Sequence, residues 1–288
     1  MIHEMDFYSW EKWSDRVYTI TINMSTVHRI TLMVFVGDEK ILLIDSGHGL
    51  DANLRPTVES FAGTDKPIIL ACTHIGIDHA GGAAQFDEVY IHHNDWRGIL
   101  KSMPRLTRVE DIQPFALYNE EFREYTEQTV LEPFNFTKVQ DIDDGQIFDL
   151  GGISVEAIFT PGHSKGHMSY YCAQENVVFA GDAMNVDTHL KALDREGFLE
   201  YARMLDRFFA RVDPNVRVFT AHLNRPNTLR VARNIQMCCL EIAAGQTRDD
   251  PPGEAIQKHF GPQGFNNPHK KMHYHGNCCV VYDEEKLN

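Results

Sequence analysis

The sequence has no long apolar run. No stretch approaches the ~18 consecutive apolar residues that a membrane-spanning helix needs. Residues 1–14 carry Glu4, Asp6, Glu11 and Lys12 around no apolar core, so no secretory leader is expected and a cytoplasmic protein is. Positive charge is scarce: 27 Lys and Arg stand against 41 Asp and Glu, a formal net charge of −14. Without a basic surplus to release counterions, nucleic acid is not an expected partner. An anionic membrane surface is not expected either. Cysteine is sparse, and its spacing does not suit a metal knuckle. Cys72, Cys172, Cys238, Cys239, Cys278 and Cys279 include two adjacent doublets and no Cys-x-x-Cys. They are expected to be reduced packing residues in a reducing compartment. Short-period repeats and low-complexity tracts are absent as well.

What remains is an ordinary globular composition, 43% apolar over 288 residues, enough for one large domain or one domain with an extension. β-Branched, period-two or short apolar runs predict strands over residues 17–22, 29–36, 40–45, 67–72, 88–92, 146–150, 153–159, 168–172, 177–180, 216–220 and 271–282. Helical spacing predicts helices over 49–61, 80–85, 95–102, 196–209 and 228–244. Residues 1–16 read as an edge segment, 23–28 as a loop over the site, and 245–270 as an extended loop. Two successive runs of strands and helices suggest two sheets face to face with helices outside, an α+β fold.

The chemistry gathers where strands end. The run Thr73-His74-Ile75-Gly76-Ile77-Asp78-His79 follows a buried strand, and Gly81-Gly82 closes it. Thr160-Pro161-Gly162-His163, Gly181-Asp182, Ala221-His222 and Asp45-Ser46-Gly47-His48 each follow a strand of their own. Any one of these histidines, taken alone, reads as a satisfied polar residue at a strand end. The ordered set does not, and imidazole with carboxylate suits zinc, iron or manganese.

In that order, His74, Gly76, Asp78, His79, His163, Asp182, His222, the chain resembles the metallo-β-lactamase-fold hydrolases, over about residues 17–222. Glycine stands at position 76 where the family has its second motif histidine. The resemblance implies a four-layer αββα sandwich of two mixed sheets and a site for one or two divalent ions, zinc first, with manganese or iron as alternatives. It implies His74, His163 and Asp182 at one ion and Asp78, His79, His222 and the same Asp182 at the other. The first set is short by one ligand and the second is complete. Gly76 is expected to leave a space about the size of an imidazole. Asp45 is expected to anchor a ligand histidine rather than bind an ion.

The implied reaction is hydrolysis of a small-molecule ester, lactone, thioester or amide by metal-activated water, with Asp78 and His79 as catalytic residues. The alternatives are an iron dioxygenase on His74, His163 and Asp182, and a scaffold that keeps the fold without the metal. Substrate-binding candidates are His48, His167, Tyr274 and His275. The whole chain, 1–288, reads as one metallo-β-lactamase-like domain. Residues 105–137 interrupt the α/β alternation and read as a lid insertion with Phe115, Tyr118, Phe122 and Phe134 facing the site; 245–288 form a C-terminal extension. Nothing in the chain fixes the oligomeric state, and a homodimer is compatible with it.

Overall fold

Strand alternation builds the layers. The first sheet runs in sequence order: β1 (Tyr8–Lys12), β2 (Val17–Asn23), β3 (Arg29–Val36), β4 (Ile41–Ile44), β5 (Ile68–Ala71), β6 (Glu88–Tyr90) and β7 (Val139–Gln140). β1 to β4 pair antiparallel and β4 to β7 parallel. The helices of this half are α1 (Leu54–Ala62), α2 (Ile77–Ala80), α3 (Trp96–Ser102) and α4 (Arg105–Ile112). The structure, a computed structural model, describes residues 7–24, 28–117, 120–135, 138–251 and 269–287.

The second half supplies β8 (Ile147–Asp149), β9 (Ser154–Phe159), β10 (Met168–Cys172), β11 (Val177–Phe179), β12 (Asp187–His189), α5 (Arg195–Phe209), β13 (Arg217–Phe219), α6 (Arg230–Ala243), β14 (Lys270–His275) and β15 (Cys278–Asp283). Its main sheet has the order β13-β11-β10-β9-β8, with only β11 and β13 parallel.

Successive side chains on a strand point to opposite faces. On β3 to β5, Met33, Phe35, Leu42, Ile44, Ile69 and Ala71 enter one buried cluster with Tyr170, Cys172 and Phe179 of the second sheet. Ile30, Leu32, Val34, Ile41, Leu43 and Leu70 enter another with Leu54 and Val58 of α1. A third cluster joins Val178 and Val218 to Phe198, Tyr201, Leu205 and Phe208 of α5 and to Ile235 and Ile242 of α6. These three interfaces make four layers, helix–sheet–sheet–helix, the expected αββα sandwich of mixed sheets. Each large α5 side chain so buried contributes about 1.5–3 kcal/mol. The side chain of Asp194 caps the helix start by accepting from the Gly197 N–H at 2.8 Å.

Three elements depart from expectation. The stretch 271–282 is not one strand but a hairpin, β14 and β15, in which His275 pairs with Cys278 across a two-residue turn. Gly276 supplies the positive φ of 60° that such turns need. β12 pairs parallel to β15, Asp187 opposite Cys279, to complete a third sheet of order β12-β15-β14. The helix expected over 80–85 is replaced by α2, which ends at Ala80, and a 3-10 turn over Ala83–Gln85, so Asp78 and His79 ride on a helical turn rather than a loop.

The described part of the stretch 105–137 contributes side chains to the core. Ile112, Phe115, Phe122, Val130 and Phe134 all belong to the cluster under α1, which makes Phe122 and Phe134 core residues and not site-facing aromatics. Tyr118, part of the 23–28 loop and most of the 245–270 loop lie outside the described residues.

Candidate metal centre

The ends of β4, β5, β9, β11 and β13 open on one rim of the sandwich. Bonds between loops fix that rim: Met168 N–H donates to the Thr73 carbonyl at 2.8 Å, Tyr170 Oη–H to the Cys72 carbonyl at 2.8 Å, and Ala221 N–H to the Gly181 carbonyl at 3.1 Å. Gly81 and Gly82 lie hard against the β4 loop. A Cβ on either would come within 2.3 Å of the carbonyl oxygen of His48 or Ser46 respectively.

Four imidazoles on this rim are anchored through Nδ1. His79 Nδ1 donates to Asp45 Oδ2 at 2.8 Å. His163 Nδ1 donates to the His189 carbonyl and His222 Nδ1 to the Arg29 carbonyl, both at 3.1 Å. His74 Nδ1 lies 3.1 Å from Thr73 Oγ1, whose own hydrogen goes to Asp45 Oδ2 at 2.8 Å, so the hydroxyl accepts from His74. Each ring is left with Nε2. Those atoms meet two carboxylates: His79 Nε2 is 3.4 Å from Asp78 Oδ2 and 3.7 Å from Asp182 Oδ2. His222 Nε2 is 3.3 Å from Asp182 Oδ1 and 3.6 Å from Asp78 Oδ2, and His163 Nε2 is 3.5 Å from Asp182 Oδ2. The ligand atoms of His74, His79 and Asp182 all fall within 4.8 Å of one another.

Asp45 is wholly buried, with its backbone in the left-handed region at φ 65°. Asp tolerates that region, and strain of this kind persists where the surroundings over-determine it. Here the Thr73 N–H, the Thr73 hydroxyl and His79 all bond its carboxylate.

Burial penalises every charge on the rim, and the neighbours decide the outcome. For His79, burial opposes protonation, but Asp78, Asp182 and Asp45 outweigh it and raise the imidazole well above the ordinary range. His222 is carried up to about 9 against burial by Asp182 and Asp78. Burial lowers His74, with His79 and His163 adding to the effect. Asp78 and Asp182 are held well below the usual carboxylate range despite burial, Asp78 mainly by His79 and Asp182 mainly by His222 and His79.

Gly76 does not leave the expected space. A Cβ built there would lie 2.7 Å from His74 Nε2 and 2.8 Å from His79 Cδ2. The His74 and His79 rings, with centroids 4.0 Å apart, have closed over it.

Of the four substrate-binding candidates, only Tyr274 lines the cavity of about 440 Å³ that opens from the rim, together with His163, Asp182, His222, Leu223 and Met272. His167 is fully buried behind Asp182. Its Nε2 accepts the Asp182 N–H at 3.2 Å, which leaves the proton on Nδ1 for Thr160 Oγ1 at 2.9 Å. It therefore positions Asp182 and cannot touch substrate. His48, 3% exposed, bonds Asp111 of α4 through Nε2 at 3.0 Å. His275 faces away because β14 alternates: with Tyr274 turned outward, His273 and His275 both reach Glu241 of α6, at 3.0 and 2.9 Å.

His273 also bonds Asp250, whose Oδ2 accepts from Tyr282 as well. Its bond to Asp250 is the largest influence on its titration. Burial opposes that bond and Glu241 adds to it, and the net result raises the imidazole above its ordinary range. A raised pKa means stability that is fully present below the unfolded value of about 6.5 and is lost as pH climbs through the folded value. The melting temperature of wild type should therefore exceed that of His273→Gln by more at about pH 5.5 than at about pH 8.5. A difference that is flat or widens with pH would contradict this account.

Three contributors stand outside the ordered motif set, although the sequence places His28 in a loop over the site. Asp95 joins two ligand loops, accepting from Ile75 N–H at 3.2 Å, Ser164 Oγ–H at 2.7 Å and Gly166 N–H at 2.7 Å. Asn185 donates to Asp182 Oδ1 at 2.9 Å. His28 brings a ligand atom within 4.8 Å of those of Asp78 and His222. Asn185 reaches Asp182 locally, three residues on in the same turn, whereas only the tertiary fold brings Asp95 and His28 to the rim.

The geometry defines a class: an αββα sandwich with imidazoles and carboxylates converging at one rim between its two sheets. The chain belongs to the metallo-beta-lactamase superfamily, whose family model matches residues 26–222. It is 22% identical over 243 residues to the acyl-coenzyme A thioesterase MBLAC2 of Bos taurus, covering 80% of this chain and 86% of that one. It is 27% identical over 184 residues to the atrochrysone carboxyl ACP thioesterase of Aspergillus fumigatus, covering 63% of this chain and 48% of that protein. Among solved structures it is similar to TTHA1623 in a di-iron-bound form, with a TM-score of 0.53 at 20% identity, covering 75% of this chain and 96% of that one. Among the described residues no helix is long and apolar enough to cross a membrane. All six cysteines are free and buried.

Proposed function

We propose that this chain is a metal-dependent hydrolase of a small acyl ester, a thioester first. The observation that carries the reading is a set of four imidazoles pinned through Nδ1, of which His79, His163 and His222 turn Nε2 to within 3.7 Å of Asp78 or Asp182 while His74 brings a ligand atom within 4.8 Å of those of His79 and Asp182. Anchoring of this kind fixes the tautomer a metal ligand needs. Two further features fit a cation. His79 Nε2 is buried with no hydrogen-bond partner of good geometry. The separations of 3.3–3.7 Å among His79, His222, Asp78 and Asp182 match the ~3.4 Å edge of a tetrahedron of ligands about 2.1 Å from an ion.

Asp78, His79, His222 and Asp182 would hold one ion; His74, His163 and Asp182 would hold a second, weaker one, with zinc the first choice of metal. A divalent ion there supplies Lewis acidity toward the substrate carbonyl and lowers the pKa of water toward about 7. Asp78 turns Oδ2 to both His79 and His222, which leaves Oδ1 to orient a water and accept its proton. Val186, Leu223 and Met272 give the cavity apolar walls for an acyl group, and Arg29 stands in the same lining to meet a negative group of the substrate. The thioesterase names of two relatives support the choice of thioester.

Elemental analysis after purification without chelator should give about one equivalent of metal or more per chain. Acyl thioesters should be cleaved faster than lactones and phosphoesters, and chelation should abolish the activity. Uptake of no metal when zinc, manganese and iron are each offered would leave the scaffold reading. Bound iron with dioxygen consumption would move the chemistry to oxidation on His74, His163 and Asp182.

A further inference from the structure

The chain lacks a histidine at position 76 and presents an additional one at position 28. We infer that His28 is a fifth protein ligand of the second ion, beside Asp78, His79, His222 and Asp182, so that the chain concentrates its metal affinity at one position. This inference rests on the hydrolase reading above and adds a residue outside that family's ligand order.

Three observations support it. The ligand atoms of His28, Asp78 and His222 lie within 4.8 Å of one another, close to the ~4.2 Å that separates opposite ligands of one ion. The His28 ring is placed rather than loose: it stacks on Phe115 at 4.8 Å and 30° and lies 5.3 Å from the His222 ring. It also lines the cavity beside His222, on the side where an ion would meet substrate.

The two halves of the centre then differ. Around the first ion His74 and His163 share Asp182, and the place of the missing ligand is closed, since a Cβ at Gly76 would collide with His74. Around the second, three imidazoles and two carboxylates gather. A five-ligand site of three nitrogens and two oxygens keeps zinc or iron and leaves one position for water or substrate. Phe115 belongs to the inserted stretch 105–137, so the insertion helps build the centre by holding a ligand.

The test uses cobalt(II) and zinc on the full chain, with competition against a chromogenic chelator. His28→Ala should weaken the tighter of the bound ions by about tenfold or more. His28→Phe, which keeps a ring to stack on Phe115, should weaken it equally. Visible absorption of the cobalt protein should strengthen in both variants, as the coordination number of cobalt falls by one. Wild-type affinity and an unchanged cobalt spectrum in His28→Phe would overturn the inference and leave the hydrolase reading standing. Wild-type protein that takes up neither metal would overturn both.

Discussion

Asp45→Asn is expected to leave the fold standing while lowering kcat/KM by about a thousandfold, because it reverses the proton on His79. In the native chain Asp45 offers acceptors only: Oδ1 to the Thr73 N–H at 2.6 Å and Oδ2 to His79 Nδ1 at 2.8 Å. An asparagine can keep the first bond with its carbonyl oxygen. Its amide nitrogen then faces His79 and can only donate. His79 Nδ1 must accept, which moves the ring proton to Nε2, the atom aimed at Asp78 and Asp182. A protonated Nε2 cannot bind a cation, so metal affinity should fall by about 100-fold. Asparagine also tolerates φ 65° at this position as well as aspartate does, so the backbone gives no separate reason to unfold. Circular dichroism and melting should resemble wild type. Metal titration and thioester turnover report the loss. Wild-type affinity in this variant would show that Asp45 does not set the His79 tautomer.

The histidines and aspartates that converge on the rim could be picked out in the sequence because each follows a strand whose pattern is unmistakable. Ile68–Ala71 and Val177–Phe179 are buried apolar runs, and the polar residues beyond them can only be strand-end loops. The order of residues along the chain then stood in for their arrangement in space. What could not be read depends on contacts between distant segments. β12 is three residues long and pairs with β15 more than ninety positions downstream, so no local pattern marks it. The hairpin of β14 and β15 did leave a trace, Gly276-Asn277, but the apolar run on both sides masks it. Gly76 misleads for a different reason. A missing side chain in a list of residues suggests a hole, whereas close packing lets the neighbouring rings take up the volume. The sequence places His28 at the end of a loop over the site, but no motif singles it out, and it takes the approach of Asp78, 50 positions away in sequence, to do so.

Arg108 shows the same limit and carries the second large effect. In the sequence it is one charged residue of the inserted stretch 105–137, yet in α4 its side chain is fully buried. Its guanidinium donates to the carbonyls of His48 at 3.3 Å, Gly49 at 3.0 Å and Gly81 at 3.2 Å, and to that of Leu131. Burial lowers its pKa to about 10, which still leaves it charged at neutral pH. The side chain's hydrogen bonds go to these carbonyls, with Glu132 the opposing charge that acts on it and Arg105 a like one, and each bond to a charged donor is worth about 1.5–3 kcal/mol against its desolvation. Arg108→Ala leaves these carbonyls without a donor and opens a cavity. The expected cost is about 3–5 kcal/mol, or about 10 °C in melting temperature at 2–4 °C per kcal/mol. Arg108→Lys, which keeps the charge but cannot reach as many acceptors, should fall between. The carbonyls in question close the loop that carries Asp45 and the turn that carries Asp78 and His79, so activity should fall with stability although no ligand has changed. Scanning calorimetry of the three proteins tests the ranking. An Arg108→Ala protein melting within about 2 °C of wild type would mean that the inserted stretch is held by its apolar contacts alone, through Ile112, Phe122 and Phe134, and that the polar clamp contributes nothing measurable.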